Sequence, residues 1–113
     1  MSSAGHAGLA AGRWHALTIV EQLAHVGSEV DRAIRAHAAG KEARRDLAID
    51  RALELFDLTA ADPRWHGSRR REILRAREEF CRLFFDDMMP AGSAASLQKY
   101  FLHFAVAARR SRG

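Results

Sequence analysis

Cysteine and proline are scarce in this sequence: there is one cysteine, and there are two prolines, among 113 residues. A single cysteine, Cys81, cannot form a disulfide within the chain, and no group of cysteines and histidines has the spacing of a zinc site. These absences exclude a disulfide-stabilised domain and a zinc finger. They favour the reducing cytosol as the compartment, and so we expect a cytoplasmic protein.

Long hydrophobic runs are also missing. No stretch has the ~20 apolar residues that span a bilayer, and the most apolar window, from Phe80 to Phe85, is interrupted by Arg82. Residues 1–12 are rich in Gly and Ala and lack the charged start and apolar core of a secretory signal. We therefore expect neither a transmembrane helix nor a signal peptide, and we assign residues 1–16 to a flexible N-terminal tail.

The residues that favour β-strands are few, because Ala, Leu and Arg outnumber Val and Ile. Apolar residues make up 48% of the chain. A chain of 113 residues is long enough for one core and too short for two independent ones. The composition therefore predicts a single all-α domain.

Four segments have the apolar periodicity of amphipathic helices. Thr18 and Glu21 form a capping box that marks the start of the first helix, and Gly40 marks its end. Asp62-Pro63 and the segment from Pro90 to Gly92 interrupt the helical pattern further along the chain. The predicted helices run from about Thr18 to Ala39, from Glu42 to Ala60, from Ser68 to Phe85, and from Ser93 to the basic end that begins at Arg109.

Helices of this length joined by short loops favour an antiparallel up-down-up-down four-helix bundle over residues 17–110, followed by a basic tail at 111–113. The third helix is the richest in aromatic residues, and we expect it to lie deepest. Gly27, inside the first helix, costs about 1 kcal/mol relative to Ala, so it either allows a close helix crossing or is a tolerated weak spot. The wide apolar faces of the second and third helices predict a homo-oligomer.

The whole chain has a net charge of +4. Its positive charge is concentrated in the second half. Through Asp62, seven Lys and Arg accompany nine Asp and Glu, whereas the segment from Arg64 to Arg82 contains seven Arg and three Glu. No acidic residue follows Asp87. In an up-down bundle the start of the third helix and the end of the fourth lie at the same end, which predicts one composite basic patch.

The basic patch combines arginines with an aromatic residue, as sites for single-stranded RNA or DNA do. A planar guanidinium binds phosphate in a bidentate manner and also stacks on bases. The predicted nucleic-acid-binding residues are Arg64, Trp65, Arg69, Arg70, Arg71, Arg109 and Arg110. Two alternatives remain open: Trp65 folds over the bundle end while the arginines form a solvated face, or the patch binds an acidic protein.

Arg32 and His37 are five residues apart, and this R-x4-H pattern resembles the motif of HEPN ribonucleases. Members of that family are small and all-α, and their Arg and His meet those of a second subunit to cleave RNA. The resemblance implies a metal-independent ribonuclease of the toxin–antitoxin type with Arg32 and His37 as its catalytic residues. The alternative is a structural His at the end of a helix.

No other group of residues indicates catalysis. The six histidines include no pair at i, i+4, and neither Glu78-Glu79 nor Asp86-Asp87 has the Glu-x-x-His partner of a di-iron bundle. Cys81 lies among apolar residues, which favours a protonated and inert thiol. We therefore expect no metal and no cofactor.

The arginine content, the length and the four predicted helices between Thr18 and Arg110 together resemble two groups of small bacterial four-helix-bundle proteins. These are the ribosomal-RNA intervening-sequence family and the accessory variability determinant of diversity-generating retroelements. The resemblance is one of architecture, not of a motif. It implies a non-catalytic, ring-like homo-oligomer whose positive surface holds nucleic acid, together with a reverse transcriptase as a second partner.

Overall fold

The computed structural model describes residues 12–112, and within that range all regular secondary structure is helical. The four long helices are α1 (Ile19–Ala38), α2 (Glu42–Ala60), α3 (Ser68–Phe85) and α4 (Ser93–Arg112). A fifth helical segment precedes them and ends at Trp14. The all-α prediction is thus confirmed. None of the helices in the described range has the length and apolarity needed to cross a membrane.

The first helix begins and ends at the residues that the sequence indicates. The Thr18 hydroxyl accepts a hydrogen bond from the backbone N–H of Glu21 at 3.1 Å, and the Glu21 carboxylate accepts one from the N–H of Thr18 at 3.0 Å. This reciprocal capping box satisfies two backbone donors that the helix leaves unpaired. Gly40 ends the helical course with a φ of 71°, a conformation that strains residues with a Cβ atom.

α1 is the most deeply buried helix. It packs extensively on both α2 and α4, whereas α3 makes smaller contacts with the same two helices. Its apolar stripe is fully enclosed and comprises Leu23, Val26, Val30 and Ala33. The expectation that α3 lies deepest is therefore wrong. Only Ile73, Ala76 and Phe80 of α3 are buried, and Phe85 is 75% exposed because it stands at the end of the helix, beyond its neighbours.

Three phenylalanines from three helices form the centre of the core. Phe56 of α2 lies 5.9 Å from Phe80 of α3 and 6.0 Å from Phe101 of α4, measured between ring centroids. All three are at most 3% exposed. Tilted and edge-to-face rings at these distances add to the stabilisation that comes from burial alone.

Gly27 lies where α1 and α4 cross. A Cβ atom at this position would stand 2.7 Å from Cβ of Phe101, which is closer than real Cβ atoms approach. Of the two alternatives for this glycine, the close helix crossing is thus confirmed. The absence of a side chain allows α4 to lie directly on the α1 backbone.

The packed part of the chain begins before the predicted boundary at residue 17. Trp14 is only 8% exposed and belongs to the core, so the assignment of residues 1–16 to a tail is corrected at its C-terminal end. The rest of that assignment, residues 1–11, lies outside the described residues. At the other end α4 continues to Arg112, past the predicted limit of the bundle at residue 110.

Candidate nucleic-acid interface

A buried carboxylate organises the loop between α2 and α3. Asp62 is 1% exposed, and its Oδ1 accepts a hydrogen bond from the backbone N–H of Arg64 at 3.0 Å, which closes the turn around the proline. The Arg64 guanidinium binds the same carboxylate through Nη2, at 2.7 Å from Oδ2, and through Nε. These hydrogen bonds from Arg64 hold the pKa of Asp62 well below its usual range, although burial acts in the opposite direction.

Gln22 of α1 connects this carboxylate to the rest of the molecule. Its amide Nε2 donates to Asp62 Oδ2 at 3.0 Å and to the carbonyl oxygen of Trp14 at 2.9 Å. The Trp14 indole N–H in turn donates to the Thr59 hydroxyl at 2.9 Å. The side chain of Gln22 is completely buried, so its hydrogen bonds are shielded from water. The network ties the N-terminal segment, α1, the end of α2 and the loop into one unit.

Two of the predicted nucleic-acid-binding residues, Arg64 and Trp65, belong to this network. The Trp65 indole N–H donates to Gln22 Oε1 at 2.7 Å, and Arg64 Nη2 donates to the carbonyl oxygen of Leu17 at 2.6 Å. The Arg64 guanidinium carbon lies 4.5 Å from the centre of the Trp65 ring, in a cation–π arrangement. One face of the indole and most of the guanidinium donors are therefore engaged within the fold.

The three arginines of the first turn of α3 are exposed. Arg70 donates from Nε to the carbonyl oxygen of Ala60 at 3.2 Å and so caps the end of α2. The side chains of Arg69 and Arg71 make no hydrogen bond or ion pair with any residue of the described chain. Their guanidinium groups are thus available to an outside ligand.

Arg109 and Arg110 are exposed on the last turns of α4, and neither has an ion-pair partner among residues 12–112. The position of α4 against α3 is fixed nearer its start. Tyr100 donates from its hydroxyl to Glu72 Oε1 at 2.6 Å. Burial is the main cause that raises the pKa of Tyr100, and the hydrogen bond to this carboxylate is the second. Leu97, one turn earlier on α4, lies with Leu83 in the groove near the other end of α3.

The two residues of the R-x4-H pattern point to different neighbours. Arg32 is ion-paired with Glu29 of its own helix and faces α2. His37 is exposed, and its ring meets the edge of Phe84 of α3 at a centroid distance of 5.4 Å. Because five residues turn a helix through about 140°, one copy of the chain does not bring the two side chains together.

The sequence interpretation missed Asp62, Gln22 and Trp14 as a connected group. The Asp-Pro-Arg turn offered a signal for the first, since an Asp before a turn often bonds the backbone two residues on. Nothing in the sequence marks Gln22 as the residue that reaches it across 40 positions.

Within residues 12–112, no three His, Cys, Asp or Glu side chains are placed so as to hold a metal ion. The chemistry that the exposed groups offer is the binding of anions by guanidinium groups. Comparison of the chain with known protein families, with curated proteins and with solved structures finds no match.

Proposed function

We propose that this chain is a non-enzymatic, cytoplasmic accessory protein that binds RNA or single-stranded DNA through exposed arginines at one end of the bundle. The observation that carries the proposal is the set of unpaired, exposed guanidinium groups on two neighbouring helices: Arg69 and Arg71 on α3, and Arg109 and Arg110 on α4. Unpaired arginines bind phosphate without first breaking an internal ion pair.

The proposal includes the antiparallel up-down-up-down arrangement, in which α3 and α4 run in opposite directions and the two pairs of arginines lie at the same end. Contacts between α3 and α4 support it. Leu97 and Leu83 line the same groove, and Tyr100, further along α4, binds Glu72, which stands nearer the start of α3. Residues still further along α4 therefore lie towards the first turn of α3.

Arg64 and Trp65 enter the proposal as residues that hold the loop in place. Their polar groups bind Asp62 and Gln22, and the Trp65 indole is only half-buried, so part of its surface stays exposed. Arg70 combines both roles, since it caps α2 and remains exposed.

We also propose that the protein is a homo-oligomer. Its support is the exposure of large apolar side chains, which are Leu47, Leu74, Phe85, Met88 and Leu102. A nucleic-acid-synthesising enzyme such as a reverse transcriptase remains the partner implied by the architectural resemblance.

The test is fluorescence anisotropy with a labelled single-stranded RNA and the matching DNA, titrated at several salt concentrations. We expect binding at low salt that weakens as salt rises, with a slope of log K against log salt that falls by about 0.7 for each phosphate contact removed. Arg69→Ala/Arg71→Ala and Arg109→Ala/Arg110→Ala should each reduce both affinity and slope.

The matched control is Arg77→Ala/Arg82→Ala, which removes the same charge from α3 but from arginines already paired with Asp57 and Asp86. Its affinity should stay within about threefold of the wild type, because salt-bridged guanidinium groups contribute little outside their pair. No binding at low salt, or equal losses in all three variants, contradicts the proposal. A shortened RNA that disappears with His37→Ala would instead indicate the ribonuclease.

A further inference from the structure

A groove of about 430 Å³ lies between α1 and α2. Its floor is apolar and consists of small residues, Ala36, Ala39 and Ala48, together with Leu47, which is 51% exposed. Five cations line it: Arg32, Arg35, Lys41, Arg44 and Arg51. The groove therefore presents an apolar strip bordered by positive charge, which suits a helix with an acidic flank.

Three of these cations have no ion-pair partner among residues 12–112. Arg32 and Arg35 are ion-paired with Glu29 and Asp31 of their own helix. Lys41, Arg44 and Arg51 make no ion pair with any described residue. The positive charge along the groove thus exceeds the negative charge that the fold supplies to it.

The outer face of α2 is divided lengthwise by charge. Arg44 and Arg51 stand on the flank that borders α1, since both line the groove. With about 100° between successive residues, Asp46 and Asp50 project from the opposite flank, where Asp46 also binds Arg45 at 2.9 Å, and Leu47 lies between the two flanks. Asp57 extends the acidic flank and binds Arg77 of α3 at 2.9 Å, which places that flank on the α3 side.

We propose that the groove is occupied by α2 of a second copy of this chain. The two α2 helices run parallel, related by a twofold axis along their length. In that arrangement the acidic flank of each copy faces the cationic flank and groove of the other, and the two Leu47 side chains meet near the axis. An antiparallel pair would bring like-charged flanks together, which electrostatic repulsion disfavours.

This inference rests on the self-association proposed above and is independent of nucleic-acid binding, because the arginines of α3 and α4 lie elsewhere. The interface should also be sensitive to salt. Its contacts are largely between exposed charges, and such contacts weaken as salt screens them. The dimer is therefore expected to dissociate more readily at high salt, unlike one held by apolar area alone.

The test is sedimentation velocity of the full chain over a range of protein and salt concentrations. We expect a dimer at low salt, and at least tenfold weaker association in Arg44→Glu/Arg51→Glu and in Asp46→Lys/Asp50→Lys, each of which places like charges against each other. Mixing the two variants should restore a dimer that contains one copy of each, because both flanks are then complementary again.

Arg75→Glu/Lys99→Glu provides the matched control, since it reverses two exposed charges on other helices and should associate as the wild type does. Far-UV circular dichroism is used to check that each variant is folded. A monomeric wild type overturns both the self-association and the interface and leaves the groove to an acidic helix of a different protein. A dimer that both reversals leave unchanged overturns this interface alone. A mixture that stays monomeric does the same.

Discussion

The arginines on the two sides of Gly67 stand close together in the chain but differ in their surroundings. Before it, Arg64 is bound to a buried aspartate, to a backbone carbonyl and to the ring of Trp65. After it, Arg69 and Arg71 are exposed and unpaired within the described chain. A run of basic residues in a sequence therefore contains arginines that are paired within the fold and arginines that are not.

The difference between Arg64 and the two later arginines arises from the carboxylate of Asp62. Asp62 is enclosed, and a buried charge is tolerated only when paired and hydrogen-bonded, so the nearest guanidinium is bound to it although the Arg64 side chain is itself partly exposed. No buried acid faces Arg69 or Arg71. We therefore expect Arg64 to contribute to stability and Arg69 and Arg71 to contribute little, and four measurements test that division.

Asp62→Ala should have the largest effect, a loss of about 3 kcal/mol in the free energy of unfolding. The substitution leaves Arg64, Gln22 and the backbone turn without their common acceptor. Urea denaturation followed by circular dichroism measures the loss. Asp50→Ala is the control, because Asp50 is exposed and its loss should stay within about 0.5 kcal/mol. Equal losses in the two variants would show that Asp62 stabilises the fold no more than an exposed aspartate does.

Gln22→Leu should lower the free energy of unfolding by about 2 kcal/mol, since it keeps the side-chain volume but leaves buried polar partners unsatisfied. The Trp65 N–H loses its acceptor, and the Trp14 carbonyl loses its donor. Gln98→Leu is a matched control, because the Gln98 amide donates to Asp31 at 2.8 Å in a less buried place. Tryptophan fluorescence should shift with the first variant only; a shift with both would argue against the network.

Acidification should weaken the fold through Asp62. The folded-state pKa of Asp62 lies below its unfolded value, so its contribution is present above pH ~4 and is lost as the pH falls below that. We expect Asp62→Asn to reduce the stability difference between pH 5 and pH 3 by about 1 kcal/mol. Urea midpoints at the two pH values measure it, and an unchanged difference would show that other carboxylates dominate.

Arg69→Ala/Arg71→Ala should have the smallest effect on stability, within about 0.5 kcal/mol, because neither side chain has an internal partner to lose. Arg64→Ala should cost clearly more stability than the double variant, since the buried Asp62 carboxylate loses its charge-assisted hydrogen bonds. Thermal unfolding compares the two. The division of roles would break down if the double variant were the less stable one.

The helices could be predicted closely from the sequence because their signals are local. The capping box of Thr18 and Glu21, the glycine at position 40 and the break at Asp62-Pro63 act on neighbouring backbone groups only. The predicted second and third helices coincide with α2 and α3 at both ends. Local chemistry therefore accounts for nearly all of the secondary structure.

The depth of each helix could not be predicted in this way. The aromatic content of α3 suggested the deepest position, yet α1 holds it, because α1 has two close neighbours, α2 and α4. Burial depends on what packs against a side chain and not on its hydrophobicity alone. For Gly27, its position in a helix left a close crossing and a tolerated weak spot as alternatives, and only the structure shows that Phe101 of α4 occupies the space.

The sequence by itself determined an all-α chain, the limits of its helices and the arginine-rich character of its second half, since each depends on residues a few positions apart. The tertiary structure decided which arginines remain free. Trp14 reaches Thr59 across 45 positions, and Gln22 reaches Asp62 across 40. Such contacts follow from how the helices pack, and so the partner of a charged side chain is decided only when the chain is folded.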